Sequence, residues 1–449
     1  MTRKFPVPRN SPTRSITTRT LGTVLAAATL LGTAACAGTA ADPTDGPAAT
    51  PLASAVPHGF VAGAQEMPEP QLHLATVNAA GSLTLLDLQG GSSTAVGTLD
   101  GVNDVTTDGR YLFASAAEAG TVTIVDTGVW TVDHEDHQHY YRAEPGAVGV
   151  VTGSGTGVAA AGGSLATVRF ADSGTGIILD HGDLGDGTIT ELGRIDGVSG
   201  AGVLVPFGDR VIAGRTDAPG TAGAAPDGTA ALQVFDATGT PVSGATADCA
   251  ELSGTITTRV GVVFGCADGA VLATAGADAD SPVAFESIPY PDGVAAADRA
   301  LAFANRAGRP TVAAVSGDSG AWLLDTRELS WTRLTIDTPL WQVVAVDDNN
   351  AHVVALTEDG RVLVLDPATG ATLAATEPLL GATLAAAAAN PAGAAALLAG
   401  VELTVDATRA YLNAPTDGQV YEIDFADNAR IARTFPIEGE PRFLAETGR

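Results

Sequence analysis

From residue 71 onward, short apolar runs alternate with polar turns, and the alternation repeats. Each unit is a β-branched run, a Gly-containing turn, a second apolar run ending near Asp, and another turn. "HLATVNAAGSLTLLDLQGG" and "RYLFASAAEAGTVTIVDTG" show it first. "SLATVRFADSGTGIILDHGDLGDG", "TAALQVFDATGT" and "VVFGCADGAVLATA" follow, then "TVAAVSGDSGAWLLDTREL", "HVVALTEDGRVLVLDPATG" and "AYLNAPTDGQVYEIDFADN". Apolar runs of this length, bounded by Gly and Asp, read as strands joined by hairpins. In "EDGRVLVLDPATG", Gly360 relaxes the turn, Val362, Val364 and Asp366 face one way, and Leu363 and Leu365 face the other. Eight units fill residues 71–449, a spacing close to the ~40–50 residues of a propeller blade. The expected fold is all-β, a β-propeller of eight repeat units, with seven blades as the alternative. One stretch resists the pattern. "LLGATLAAAAANPAGAAALLAG" has helical composition, but Pro391 argues against a single long helix.

Composition supports many turns and few helices. Of 449 residues, 54 are Gly and 25 are Pro, and only 16% are charged. The charge is lopsided. Residues 1–36 carry five basic side chains and no acidic one, which leaves 18 basic against 51 acidic beyond them, net −33. That surface repels nucleic acid and anionic lipid headgroups. No phosphate-binding loop or dinucleotide fingerprint is present.

The N-terminus reads as a targeting segment. A basic stretch precedes "LGTVLAAATLLGTAAC", an apolar run too short to span a bilayer comfortably. Its end, "TAAC", has the small residues of a lipobox before Cys36, with Thr33 in place of the commoner Leu. The expectation is a signal peptide with lipobox over 1–36, lipidated at Cys36. A low-complexity tether over 37–70 and the propeller over 71–449 follow. The protein would then be exported and lipid-anchored at the outer face of the cell membrane, as a monomer. Cys249 and Cys266 remain as a pair flanking a strand–turn–strand segment, and an oxidising compartment favours a disulfide between them. A zinc–thiolate site is the weaker option, since no His lies near.

Against this background "VDHEDHQHYY" stands out. It places His134, His137 and His139 with Asp133, Glu135 and Asp136 inside seven positions. Imidazole and carboxylate suit zinc outside the cytosol. On one strand His137 and His139 share a face and His134 opposes them, so a loop is the expected carrier. Asp133, Glu135 and Asp136 would ligate or orient the rings. "ILDHGDLGDG" places His181 among Asp180, Asp183 and Asp186. A Gly/Asp hairpin turn is the plain reading there, with His181 free to join the first cluster. His73 and His352 begin strands and read as structural, and His58 follows the tether. "GDSG" at 317–320 lies between two apolar runs and reads as a turn, because no His and Asp accompany Ser319 in a triad context. "GVSGAG" around Ser199 breaks the nucleophile-elbow pattern at Ala201.

These features together resemble the AztD-type zinc metallochaperones. "VDHEDHQHYY" after the "VTIVDTG" strand, "VPFGDRVIAG" at 205–214, and the cysteine pair in "DCAELSG" and "VVFGCADGAVL" carry the likeness. The resemblance implies an exported propeller that passes zinc to the solute-binding protein of an ABC importer. It also shows departures. Gly200, Ala201 and Ser253 stand where the family pattern has histidines. The expected function is a zinc-binding accessory lipoprotein without catalytic activity. The alternative is a propeller that only presents a binding surface to another envelope protein. A propeller enzyme such as a lactonase would need metal-held carboxylates and a base on the axis, and the sequence shows no such set.

Overall fold

A computed structural model describes residues 63–134, 137–198, 202–215, 231–276, 282–318 and 320–449. Residues 1–36, read as a leader, with Cys36, the stretch read as a tether up to residue 62 with His58, and Glu135, Asp136, Gly200 and Ala201 lie outside the described residues.

The strands form antiparallel sheets that follow one another along the chain. The second sheet pairs Asp104–Thr107, Tyr111–Ala116, Thr121–Asp126 and Gly146–Thr152 in that order. Residues 157–196, 203–248 and 253–289 build the next three, four strands each. Residues 311–335 give three strands, extended at the inner edge by the bridge Ala304↔Ala313. Residues 340–375 and 403–436 give two more four-stranded sheets. The first sheet is built from both ends of the described chain: Pro441–Thr447 pairs with His73–Asn78, followed by Ser82–Asp87 and Ser93–Thr98.

Eight apolar cores, one between each neighbouring pair, connect these eight sheets in a closed cycle. Ala75 and Ala445 pack on Leu112, Phe113 and Ile124 on Val168, and Ile178 on Leu204. Val234 packs on Phe264, Leu272 on Leu324, and Leu323 on Leu365. Val364 packs on Leu412, and Tyr411 with Leu444 closes the cycle on Leu74. Each middle strand therefore feeds two cores. Val362 and Val364 belong to one and Leu363 and Leu365 to the next, as the alternation in that unit predicts. Strands buried on both faces lose the apolar–polar alternation of half-exposed strands. This explains the imperfect periodicity of the sequence.

The alanine-rich stretch forms two helices. After a short α1 (His181–Gly185), α2 (Gly381–Ala389) ends where Asn390 and Pro391 break the ladder, and α3 (Pro391–Leu398) begins. The Asn390 side chain accepts from the Gly393 amide as N-cap, and Pro391 sits where its missing N–H costs nothing. Cys249 and Cys266 are disulfide-bonded and buried in the core between the fourth and fifth sheets. At a sequence separation of 17, the cross-link constrains the unfolded chain, an effect worth ~3 kcal/mol in the chain-entropy account.

A small ninth sheet stands apart from the cycle. β1 (Gln65–Met67), β2 (Val129–Asp133) and β3 (Gln138–Arg142) assemble in the order β1–β3–β2. β2 and β3 are inserted between the third and fourth strands of the second sheet. β1 lies inside the stretch read as tether: residues 65–67 are a strand that pairs with a partner more than 70 positions away.

Candidate metal centre

The β2–β3 hairpin carries the histidine cluster: His134 and His137 lie in the connecting loop, as expected, and His139 lies within β3. Val129, Trp130, Thr131 and Val132 are strand-forming residues, and Tyr140 and Tyr141 oppose them. The His134 amide donates to the His137 carbonyl at 2.9 Å and closes the turn. The register pairs Asp133 with Gln138 and Val132 with His139. Residues directly opposite one another in such a ladder project to the same face. His134 therefore shares a face with His137 across the turn, and His139 shares it two positions further along β3. Counting faces along a single strand separates the three histidines, whereas folding the strand back on itself unites them.

The rings stand 5.1 Å (His134–His137), 5.3 Å (His134–His139) and 4.9 Å (His137–His139) apart, centroid to centroid. One nitrogen of each lies within 4.8 Å of the others. Nitrogens bound tetrahedrally to one zinc at ~2.0–2.1 Å sit ~3.3 Å apart. Binding one ion would draw the three nitrogens together from that separation. Among the described residues this is the one group of three His, Cys, Asp or Glu side chains so arranged. His137 is exposed and the other two are half-buried.

The same face continues into a fixed base. Trp130 and Tyr141 are buried and stacked at 5.3 Å, and the Arg110 guanidinium lies 3.8 Å over the Trp130 ring. Arg110 is itself held by Asp126 at 2.6 Å. On the other face the Thr131 hydroxyl donates to the Gly448 carbonyl at 2.8 Å. The hairpin is thus pinned on both sides, and the histidines occupy its free end.

Glu66, which the sequence reading passed over, reaches this face from β1. It pairs across from Tyr141, and its Oε1 lies 2.7 Å from Nδ1 of His139. Its sequence setting, "AQEMPEP", gives no hint of this, because only the β1–β3 pairing brings it near.

Two expected ligands fall elsewhere. Asp133 belongs to the opposite face of the hairpin, where it accepts from Gln138 Nε2 at 3.1 Å and helps to line a cavity of about 440 Å³. Strand alternation puts it one residue out of phase with the histidines. His181 does not join the cluster either. It opens α1, with Asp180 as N-cap, and its Nε2 lies 2.7 Å from Asp108 Oδ2 with Tyr111 edge-on at 5.3 Å. The Gly/Asp hairpin turn expected there is a capped single helical turn instead.

His73, His352 and Ser253 lie apart from the cluster. His352 holds Asp348 at 2.7 Å. His73 is buried with neither ring nitrogen hydrogen-bonded, and burial pushes its pKa down, towards the neutral ring. Ser253 starts a strand and donates to the Ala300 carbonyl at 3.2 Å. Glu446, in the wall of the cavity below the hairpin, has a fully buried side chain, and burial raises its pKa to about 7.

Comparison with known structures gives the fold. Apo AztD from Citrobacter koseri superposes with a TM-score of 0.67 at 19% identity, covering 84% of this chain and 97% of that one. A second crystal structure of C. koseri AztD gives 0.65 at 18% over the same shares. The dihydro-heme d1 dehydrogenase NirN reaches 0.50 at 15% identity, covering 86% of this chain and 80% of its own. The fold is AztD-like and propeller-type. Its occurrence in a dehydrogenase means that the scaffold alone decides nothing about catalysis. No family model matches the chain, and no curated protein does.

Proposed function

We propose that this protein binds zinc as cargo through His134, His137 and His139, and serves as a non-catalytic metallochaperone for an importer. The observation that carries the reading is the convergence of three imidazoles on the free end of one pinned hairpin. Neutral imidazole is a good zinc ligand and a poor one for calcium or magnesium, which prefer all-oxygen shells. Three protein ligands leave the fourth position of a tetrahedral ion open. A donor from another protein can enter there before the histidines let go, so a rim-exposed three-histidine site suits transfer better than permanent storage. The AztD-like fold and the motifs shared with that family support the same direction. With Ser253 committed to a backbone carbonyl, the hairpin is the zinc site among the described residues.

By resemblance, the receiving partner is the solute-binding protein of a zinc ABC importer. The leader-like N-terminus and its Cys36 support a location outside the cell membrane on a lipid anchor, within reach of such a partner. Two experiments test the reading. Zinc titration of the full chain at neutral pH is expected to show one equivalent bound and retained against excess calcium and magnesium. A chain that takes up no zinc leaves the interaction-module reading in its place. Cys36→Ser is expected to move the protein from the membrane fraction to the soluble one, and a variant that stays with the membrane refutes the anchor.

A further inference from the structure

We propose that Glu66 is a positioning residue of this centre: its carboxylate fixes the His139 ring so that Nε2 faces the metal, and β1 thereby sets the affinity of the hairpin. The inference rests on the zinc reading above and adds a residue that the three-histidine cluster does not contain.

The geometry is specific. Glu66 Oε1 lies 2.7 Å from His139 Nδ1. An ionised carboxylate only accepts hydrogen bonds, so Nδ1 must carry the proton that Glu66 receives. A neutral imidazole with its proton on Nδ1 has its lone pair on Nε2, on the far side of the ring. That nitrogen is then the one left to ligate, and the tautomer is chosen before any metal arrives. Because Glu66 holds the Nδ1 side, it is placed to orient the ligand and not to be one. Without it the ring can rotate about its side-chain bonds and offer either nitrogen.

The carboxylate arrives through main-chain pairing. Gln65 pairs with Arg142, Glu66 with Tyr141 and Met67 with Tyr140, which puts Glu66 on the histidine face, diagonal to His139. Its side chain is half exposed, so the contact contributes little to folding stability. Orientation is what it offers. A carboxylate behind a ligating histidine is worth ~10–100-fold in metal affinity.

The experiment compares zinc affinities of the full chain, Glu66→Ala and Glu66→Gln by competition with a chromophoric chelator, alongside melting curves. Glu66→Ala is expected to bind ~10–100-fold more weakly with an unchanged melting point. Glu66→Gln retains an oxygen that accepts from Nδ1–H and is expected to stay close to the parent, a rescue that a merely structural role for the charge would not produce. Zinc X-ray absorption of the parent is expected to show nitrogen ligands with a water-type oxygen. Equal affinity in Glu66→Ala overturns the proposal. So does an equal loss in Glu66→Ala and Glu66→Gln with a carboxylate in the parent's coordination shell, since Glu66 would then be a direct ligand. A parent that binds no zinc removes the zinc reading itself, and this inference with it.

Discussion

Replacing His134, His137 and His139 together by Ala is expected to abolish stoichiometric zinc uptake and to leave the folded state intact. The first half follows from ligand count. With three imidazoles gone, the histidine face keeps one carboxylate among the described residues, Glu66, and one carboxylate does not hold zinc against water. The second half follows from placement. The histidines lie at the free end of an inserted hairpin, outside the eight cores that close the ring. Its root, Trp130 against Tyr141 under Arg110, is untouched. Surface substitutions of this kind usually change stability by less than ~0.5 kcal/mol. In a domain of this size the melting point should therefore move by no more than ~2 °C. Calorimetric titration and a melting curve on the same preparation check both halves. A triple variant that binds zinc like the parent places the site elsewhere, while a lost melting transition would mean that the hairpin is part of the folding unit. Copper, higher in the affinity order than zinc, is expected to compete for the parent site and to lose its binding in the same variant.

How far the sequence speaks for itself depends on the range of the interaction. Strand–turn–strand units are local, and their Gly and Asp turns stand in the sequence at regular intervals. The two-core role of a strand such as Val353–Thr357 is also legible, because a run buried on both faces keeps apolar residues at successive positions, here 353 to 356. The histidine cluster was visible as composition, but its face was not. Strand periodicity gives the wrong answer when applied across a turn, since the hairpin folds position 134 back over 137. Asp133 was misjudged for the same reason. His181 was misjudged because its partner, Asp108, lies 73 positions earlier in a different sheet. Glu66 was the hardest to see: three residues of β1 give no apolar pattern, and their meaning comes from β3, beyond three strands of the first sheet and three of the second. The cysteines were easy by contrast, since three in the chain, one of them in the stretch read as a leader, leave a single pair.

Removing residues 441–449 is expected to destroy cooperative folding outright. Pro441–Thr447 is the edge strand of the first sheet that faces the neighbouring sheets, and it pairs along the whole of His73–Asn78. It contributes to two cores at once, with Leu444 packed towards Tyr411 of the eighth sheet and Ala445 towards Leu112 of the second. Without it both seams open and the backbone of His73–Asn78 becomes an unpaired edge, which invites aggregation. The hairpin also loses an anchor, because Gly448 accepts from Thr131 and donates to the Gly109 carbonyl at 2.6 Å. The summed loss exceeds the ~5–15 kcal/mol by which folded domains are stable. The truncated chain should be insoluble, or should melt without a single sharp transition. A milder variant isolates the closure from the metal site. Leu444→Ala removes part of a side chain that is 4% exposed, at a cost of ~2–5 kcal/mol. It should lower the melting point and leave zinc affinity unchanged, since Leu444 faces the seam with the eighth sheet and the hairpin stands over the second. A truncated protein with the parent's melting transition would mean that the ring does not need its closing strand. A Leu444→Ala protein that melts like the parent but binds zinc more weakly would mean that this strand supports the hairpin and not the ring.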